Sequence, residues 1–399
     1  MQFEPTDDKP VSGVRGAAVP VHLITPEYPP APGGVAAHSQ TLAEALLERG
    51  FDVVVWSPAD AAGGGGGTVH VRRELGSFGP ASFLRVGRHI LARGGRILLQ
   101  WVPHGFGLRS CNLPFCLWVW HLSRKGIPVH LLVHELFLPM EGSWKQRAAG
   151  LVHRLMIGVL VRAATSVRVA SGGGCRLLRP YLSDAAPQPL LAPSFSSIGL
   201  HADGERTNQI RADLLDAPAT ESRLIGHFST FNPMIQETLA NCMARLHCDS
   251  PQLRFLLIGH GGGEFLDGLR KSQPALVQQC VSTGFLCAED ISLHIQACDL
   301  MLQPCPDGVN VRHTSVNAAL LHGLPVATFR SWHTEPFWKD GQGVLLERRE
   351  RADKLCARIL AMLDSPEELA SMGLAAQEFY HRHCSAAHVL DHLAESLWS

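Results

Sequence analysis

The stretch AAVPVHLITPEYPPAPGGVAAHSQTLAEALLERGFDVVVWSP, residues 17–58, decides the fold class. Its near-continuous apolar start suits a strand buried on both faces of a parallel sheet. A Pro/Gly loop then leads into a helix over 36–49, with Leu42, Ala45, Leu46 and Arg49 in its pattern and Gly50 as the stop. FDVVVWSP is a second strand. Strand, helix and strand in this order form a βαβ unit, whose crossover is right-handed and whose strands are parallel.

The alternation continues outward. RILLQWV, PVHLLVHE and TSVRVAS read as further strands, separated by segments long enough for helices. The polar stretch 201–223 reads as a linker or an edge of a second domain. From Leu224 the pattern restarts with LIGHFSTF, MIQETLANCMARLH, LRFLLIGHGG, VSTGFL, ISLHIQAC, DLMLQPC and PVATF, and helices alone follow from 365 onward. The expected fold is α/β, with two Rossmann-like, doubly wound parallel-sheet domains facing a common cleft. A tail over 1–16 precedes a first domain at 17–205, and a second domain spans 221–378.

Composition narrows the function. A chain of 399 residues, 46% hydrophobic and 18% charged, is long enough for two cores and too apolar for a disordered protein. No apolar run reaches the roughly 20 residues of a spanning helix. The first sixteen residues lack the apolar segment of a signal peptide, which points to a cytoplasmic protein. The eleven cysteines include no Cys-x-x-Cys pair, so reduced thiols are expected and no metal site. HRHC at 381–384 reads as an exposed helix face. Net charge is −1 overall, yet residues 75–183 carry fourteen Arg and Lys against Glu135 and Glu141 alone, a net of +12. Such a field favours anionic ligands or surfaces. The region has no nucleic-acid recognition motif. The helical stretch from Trp144 mixes Arg and Lys with Trp144, Leu151, Leu155, Met156, Ile157 and Leu160, as a helix lying on a membrane surface would.

Ligand sites of doubly wound sheets lie beyond the carboxyl ends of strands. The loops there supply the candidates: Gly33 and Gly34; His104; His134 and Glu135; Ser229, Thr230 and Asn232; Gly259; Phe285; and the stretch DGVNVRHTSVNAALLHGLPVAT at 307–328. This last one packs Asp307, Arg312, His313, Thr314, Ser315 and Val316 before or at the start of a short helix, the physical description of an anion site. Gly33-Gly34 lets backbone amides approach a ligand without an intervening side chain. GHGGGE at 259–264 lacks the Gly-Lys-Ser/Thr ending of a phosphate loop and reads as a strand-exit turn. The five glycines at 63–67 read as a surface loop.

In series, the 24–58 segment, the restart near 224, FLLIGHGGG, TGFL, CDLMLQPCPDG and ALLHGLPVAT resemble glycosyltransferase family 4 over about residues 17–399. That resemblance implies the GT-B fold and a retaining hexosyltransferase-type enzyme. The second domain would bind a nucleotide-diphosphate sugar, the first domain an acceptor, and a final helix at 379–399 would cross back to the first domain. It implies that Gly34 meets the donor diphosphate, that His134 lies near the transferred sugar, that Phe285 marks the segment holding the base, that Asp307 touches sugar hydroxyls, and that Ser315 and Val316 open the phosphate-facing helix. His134, Arg312 and Asp307 are then the expected catalytic group, with His104 and Glu135 on the acceptor side and no cofactor or metal.

Two departures stand out. The second acid of the family's Glu-x7-Glu pair falls on Ala318, and the Arg and Lys that pair with the diphosphate are absent from STFNPM. Arg312, in a loop three residues longer than the family's, is the expected replacement. The acceptor is expected to be anionic or lipid-linked, at the inner face of the membrane where the protein would sit peripherally. A sugar-nucleotide 2-epimerase and a non-catalytic sugar-nucleotide-binding subunit remain as alternatives.

Overall fold

In the computed structural model, described for residues 19–31, 34–58, 69–76, 78–138, 140, 142–182, 188–196, 198–215 and 222–398, two parallel sheets organise the chain. The 1–16 tail, Gly33 and the five-glycine loop lie outside the described residues. The first sheet contains β1 (Pro20–Ile24), β2 (Asp52–Trp56), β3 (His70–Arg72), β4 (Arg96–Trp101), β5 (Val129–Val133), β6 (Ser166–Val169) and β7 (Leu190–Leu191), in the spatial order 3-2-1-4-5-6-7. The second contains β8 (Leu224–Phe228), β9 (Arg254–Ile258), β10 (Cys280–Gly284), β11 (Leu300–Leu302), β12 (Val326–Arg330) and β13 (Val344–Arg348), in the order 10-9-8-11-12-13. Every strand pair is parallel. The fold is GT-B: two doubly wound Rossmann-like domains.

The strand order reverses between β1 and β4 in one sheet and between β8 and β11 in the other, and loops leaving a sheet on either side of such a reversal open a crevice. Helices close both faces of each sheet. One face of the first sheet packs Ile24, Val54, Leu99 and Val133 against Phe83, Phe115, Met156 and Leu160 from three helices. On its other face, Val21, Leu42, Leu46, Val53 and Leu98 share a cluster with Leu390, Leu393 and Leu397. Those leucines come from the last helix, Ala386–Trp398, which Arg49 also ties down through an ion pair to Asp391 at 2.8 Å.

Several local expectations change. Of the two readings of 201–223, linker or edge of the second domain, the second fits: the helix Gly204–Leu214 carries Arg211, which binds Asp299 at 2.9 Å and the Ala297 carbonyl at 2.6 Å. The 378/379 boundary falls inside the helix Pro366–His383, whose Phe379 and Tyr380 stay in the second domain's core. In HRHC, His381 and Arg382 are exposed as expected, whereas Cys384, at the helix end, is fully buried against the second domain's core. The helix Trp144–Ala163 divides in two. Met156, Ile157 and Leu160 face the sheet, while Trp144, Leu151 and Leu155 are 75%, 55% and 55% exposed. All eleven cysteines are free thiols.

Candidate active site

Beyond the carboxyl ends of β8 and β11 lies a cavity of about 630 Å³, lined by Ser229, Thr230, Asn232, Gly259, Phe285, Gln303, Asp307 and residues 312–315 among others. Its floor is set by backbone needs. Gly259 has φ +119°, and a Cβ there would stand 2.2 Å from the Ser229 carbonyl, so the β8 and β9 exits can meet only at glycine. The buried His227 donates from Nδ1 to the Leu302 carbonyl at 2.7 Å and accepts at Nε2 from the Ser229 hydroxyl at 2.8 Å. Ser229 Oγ also accepts from Phe231 N, and Asn232 Oδ1 caps the helix Pro233–Asp249 by accepting from Met234 N and Ile235 N. Both side chains are therefore partly occupied in holding their own loop.

The loop after β11 is anchored from within. Val309 and Val311 are fully buried, and Val309 N donates to Phe329 O at 2.7 Å. Asn310 folds the next turn, its Oδ1 accepting from Arg312 N at 3.1 Å. Asn317 Nδ2 donates to the carbonyls of Val311 and of Ser194, while Ser194 N donates to Val311 O at 3.1 Å. With the valines sunk and the turn held by Asn310 and Asn317, Arg312 projects outward as the only Lys or Arg lining this cavity among the described residues.

The helix Thr314–Leu321 starts at the cavity wall. Its first amides, those of Thr314, Ser315 and Val316, have no acceptor within the helix, and its first turn contains no acid. Burial disfavours the charge of His313, but the Cys305 sulfur and the Asn310 carbonyl outweigh it and raise the imidazole above its ordinary value. Arg312, His313 and the open amides of Thr314 and Ser315 thus share one wall. That combination suits a multiply charged anion.

A second cavity, about 310 Å³, opens toward the first domain and is lined by His104, His134, Glu135, Phe137, Asn310, Arg312 and His333 among others. Arg312 lines both cavities, and its Nη1 donates to the His134 carbonyl at 3.4 Å. His134 is held by a buried chain: its Nε2 meets Gln100 Oε1, Gln100 Nε2 reaches His38 Nδ1 at 3.3 Å, and the His38 ring stacks on Phe195 at 4.4 Å. Burial drives His134 down to about 4; Glu135 opposes the shift and Arg312 adds to it. His134 is consequently a neutral hydrogen-bonding group at physiological pH. On the rim, His104 Nε2 and Glu135 Oε2 pair at 2.8 Å.

The sequence candidates thus fall into two sets. Ser229, Thr230, Asn232, Gly259, Phe285, Asp307, His313, Thr314 and Ser315 line the larger cavity; His104, His134 and Glu135 line the smaller; Arg312 joins them. Val316 is fully buried and lines neither cavity. Gly34 opens the helix Gly34–Glu48 and lines neither cavity. Ala318, at the position of the family's second acid, is fully buried and offers the cavity no carboxylate. His260, Cys305 and His333 lie in strand-exit loops that the sequence marks but were not singled out within them; Gln303, directly after β11, was missed, and its place at a strand end is the signal that would have found it.

No protein-family profile matches the chain, and a search among curated proteins finds no match. Solved structures do match. The fold is similar to that of sucrose-phosphate synthase from Thermosynechococcus elongatus, at TM-score 0.69 and 16% identity over 94% of this chain and 98% of that one. It is similar to Anabaena HepE in complex with UDP and glucose, at TM-score 0.67 and 17% identity over 95% and 99%. It is also similar to a glycosyltransferase from Rickettsia africae ESF-5, at TM-score 0.67 and 12% identity over 96% and 98%. Identities this low speak to architecture, and the architecture agrees throughout both domains.

Proposed function

We propose that this protein is a retaining, family 4 glycosyltransferase of the hexosyltransferase type, moving a sugar from a nucleotide-diphosphate donor to an acceptor held by the first domain. One observation carries the reading: Arg312 and the open amides of the helix Thr314–Leu321 share a wall of a cavity at the strand-order reversal of the second sheet. Departure of a nucleoside diphosphate concentrates negative charge on the leaving phosphate, and fixed donors aimed there lower the barrier. Arg312, His313 and the amides of Thr314 and Ser315 fill that role, without a metal or other cofactor. Asp307 is positioned to accept from sugar hydroxyls, and neutral His134 to hydrogen-bond the sugar from the acceptor side. HepE, similarly built, binds UDP and UDP-glucose, which supports a nucleotide sugar as the partner here.

The acceptor in this reading is anionic or lipid-linked, and the protein works peripherally at the cytoplasmic face of a membrane. Three helices cover one face of the first sheet: Pro80–Arg93, Leu113–Arg124 and Trp144–Ala163. They leave Leu84, Leu91, Leu117, Trp120, Trp144, Leu151 and Leu155 exposed within the segment of net charge +12. Apolar side chains amid basic ones suit an anionic bilayer surface. Among the described residues no helix is long and apolar enough to cross it.

Incubation with a panel of nucleotide sugars tests the activity. Slow hydrolysis, or transfer once an acceptor is supplied, supports the transferase; isomerised sugar nucleotide would identify an epimerase, and binding without turnover a non-catalytic subunit. Co-sedimentation with vesicles tests the membrane contact. Binding to phosphatidylglycerol vesicles at low salt should weaken in a Leu151→Asp/Leu155→Asp double variant, and no binding by the parent protein would reject it.

A further inference from the structure

Glu335 is a carboxylate only 3% exposed, in the segment that follows β12 in the second domain. Its two oxygens serve different domains. Oε1 accepts from Gly172 N of the first domain at 2.8 Å. Oε2 accepts from Val311 N at 3.2 Å and from the Trp338 indole at 2.9 Å, both in the second domain. Val311 is the residue immediately before Arg312, so the backbone that launches the guanidinium hangs from the oxygen opposite the one facing the first domain.

The surroundings are cut to this contact. A Cβ on Gly172 would lie 3.0 Å from Glu335 Cγ, and one on Gly173 would lie 2.8 Å from His333 Nδ1, so the first domain comes close only because both residues are glycine. Nearby, Arg176 donates to the Trp332 carbonyl and lies over the Trp332 ring, 5.5 Å from its centroid. Burying a carboxylate is costly unless its oxygens are satisfied, and here satisfaction requires that both domains be seated.

We propose that Glu335 is a positioning residue: it sets Arg312 for the donor diphosphate only when the N-terminus of the helix Gly172–Leu178 of the first domain is docked on it. This rests on the reading of Arg312 as the diphosphate-binding cation and adds a coupling between domain approach and donor affinity. A glutamine cannot substitute, because it offers one accepting oxygen where donors stand on both sides, and its amide N–H groups would face another N–H.

The test uses the full chain, with pyrophosphate as the base-independent probe and UDP alongside it, in calorimetric titrations, and small-angle scattering for the radius of gyration. Glu335→Gln should weaken pyrophosphate about tenfold, the order expected on losing a hydrogen bond to a charged group, and enlarge the radius. Gly173→Val should do the same from the other domain, although Gly173 does not line the donor cavity. Arg176→Ala, which adds no bulk, should act in the same direction more weakly. Glu335→Gln binding pyrophosphate like the parent, or Gly173→Val separating the domains with unchanged affinity, would overturn the proposal. Arg312→Ala separates the two claims. Loss of binding there beside normal binding in Glu335→Gln removes the positioning role alone, whereas normal binding in Arg312→Ala removes the donor reading and the positioning role together.

Discussion

The two cavities that meet at Arg312 are built from different materials. In the second domain the wall is largely backbone: glycine at the β9 exit, helix amides at Thr314 and Ser315, and polar side chains such as Ser229 and Asn232 that bind their own chain. In the first domain the wall rests on side chains, above all the buried run His134, Gln100, His38. A backbone wall binds charge with little dependence on pH. A wall of buried neutral imidazoles holds only while those rings stay unprotonated. The difference predicts which half of the molecule acid attacks.

Burial takes His22, His130 and His134 to about 4 and His38 well below its ordinary 6.5, all in the first domain; in the second, His227 falls to about 4 and His322 falls as well. The sign is fixed by linkage. A histidine with a depressed folded-state pKa binds fewer protons folded than unfolded, so its contribution is complete above 6.5 and is lost as pH falls toward 4. Between pH 6.5 and 5.5 each ring brought to about 4 costs about 1 kcal/mol, roughly 3 kcal/mol for His22, His130 and His134 in the first domain against about 1 for His227 in the second. His313, raised rather than lowered, works the other way in the second domain. Hydrogen exchange in a urea series at pH 7.5 and 5.5, corrected for intrinsic rates, should show β1, β4 and β5 losing protection before β8, β9 and β11. Equal losses in both sheets would break the comparison.

The next largest effect belongs to the shared cation. Arg312→Ala removes the only Lys or Arg that lines the larger cavity among the described residues and should weaken UDP and pyrophosphate 10- to 100-fold, about 1.5–3 kcal/mol, while leaving the fold intact because Arg312 is exposed. Arg312→Lys should recover part of the loss, since an ammonium keeps the charge but not the planar fork. Unchanged affinity in Arg312→Ala would place the diphosphate elsewhere.

How far this was readable in advance depended on whether the signal was local. The βαβ unit at 17–58 carries its own periodicity, and the restart at Leu224 repeats it, so both sheets followed. β3 and β7, three and two residues long, are too short to show a period. Arg312 was legible because the loop after a strand end is where a parallel sheet exposes its polar groups. Glu335 was not, since its partner Gly172 is 163 residues away and nothing local distinguishes it from a surface acid. Ser229 and Asn232 show the opposite limit. Sequence marks a polar loop side chain as available, but only coordinates reveal that its oxygen already accepts from Phe231 N or Met234 N. Leu108, Arg109 and Ser110, all at positive φ next to Gly107, form a backbone turn that none of their residue types would suggest.

The smallest expected effect sharpens the division between the cavities most. His104 and Glu135 are 44% and 47% exposed at the side chain, so their 2.8 Å pair is screened and worth at most about 1 kcal/mol to stability. Glu135→Gln and His104→Ala should leave the melting temperature nearly unchanged. Neither residue lines the larger cavity, so UDP affinity should also stay within about twofold of the parent. An acceptor seated in the smaller cavity would nevertheless meet both side chains, and its KM should rise in each variant while donor hydrolysis in its absence continues. A change in UDP affinity equal to the change in acceptor KM would mean that the two cavities act as one site, with Arg312 at its centre rather than at a border.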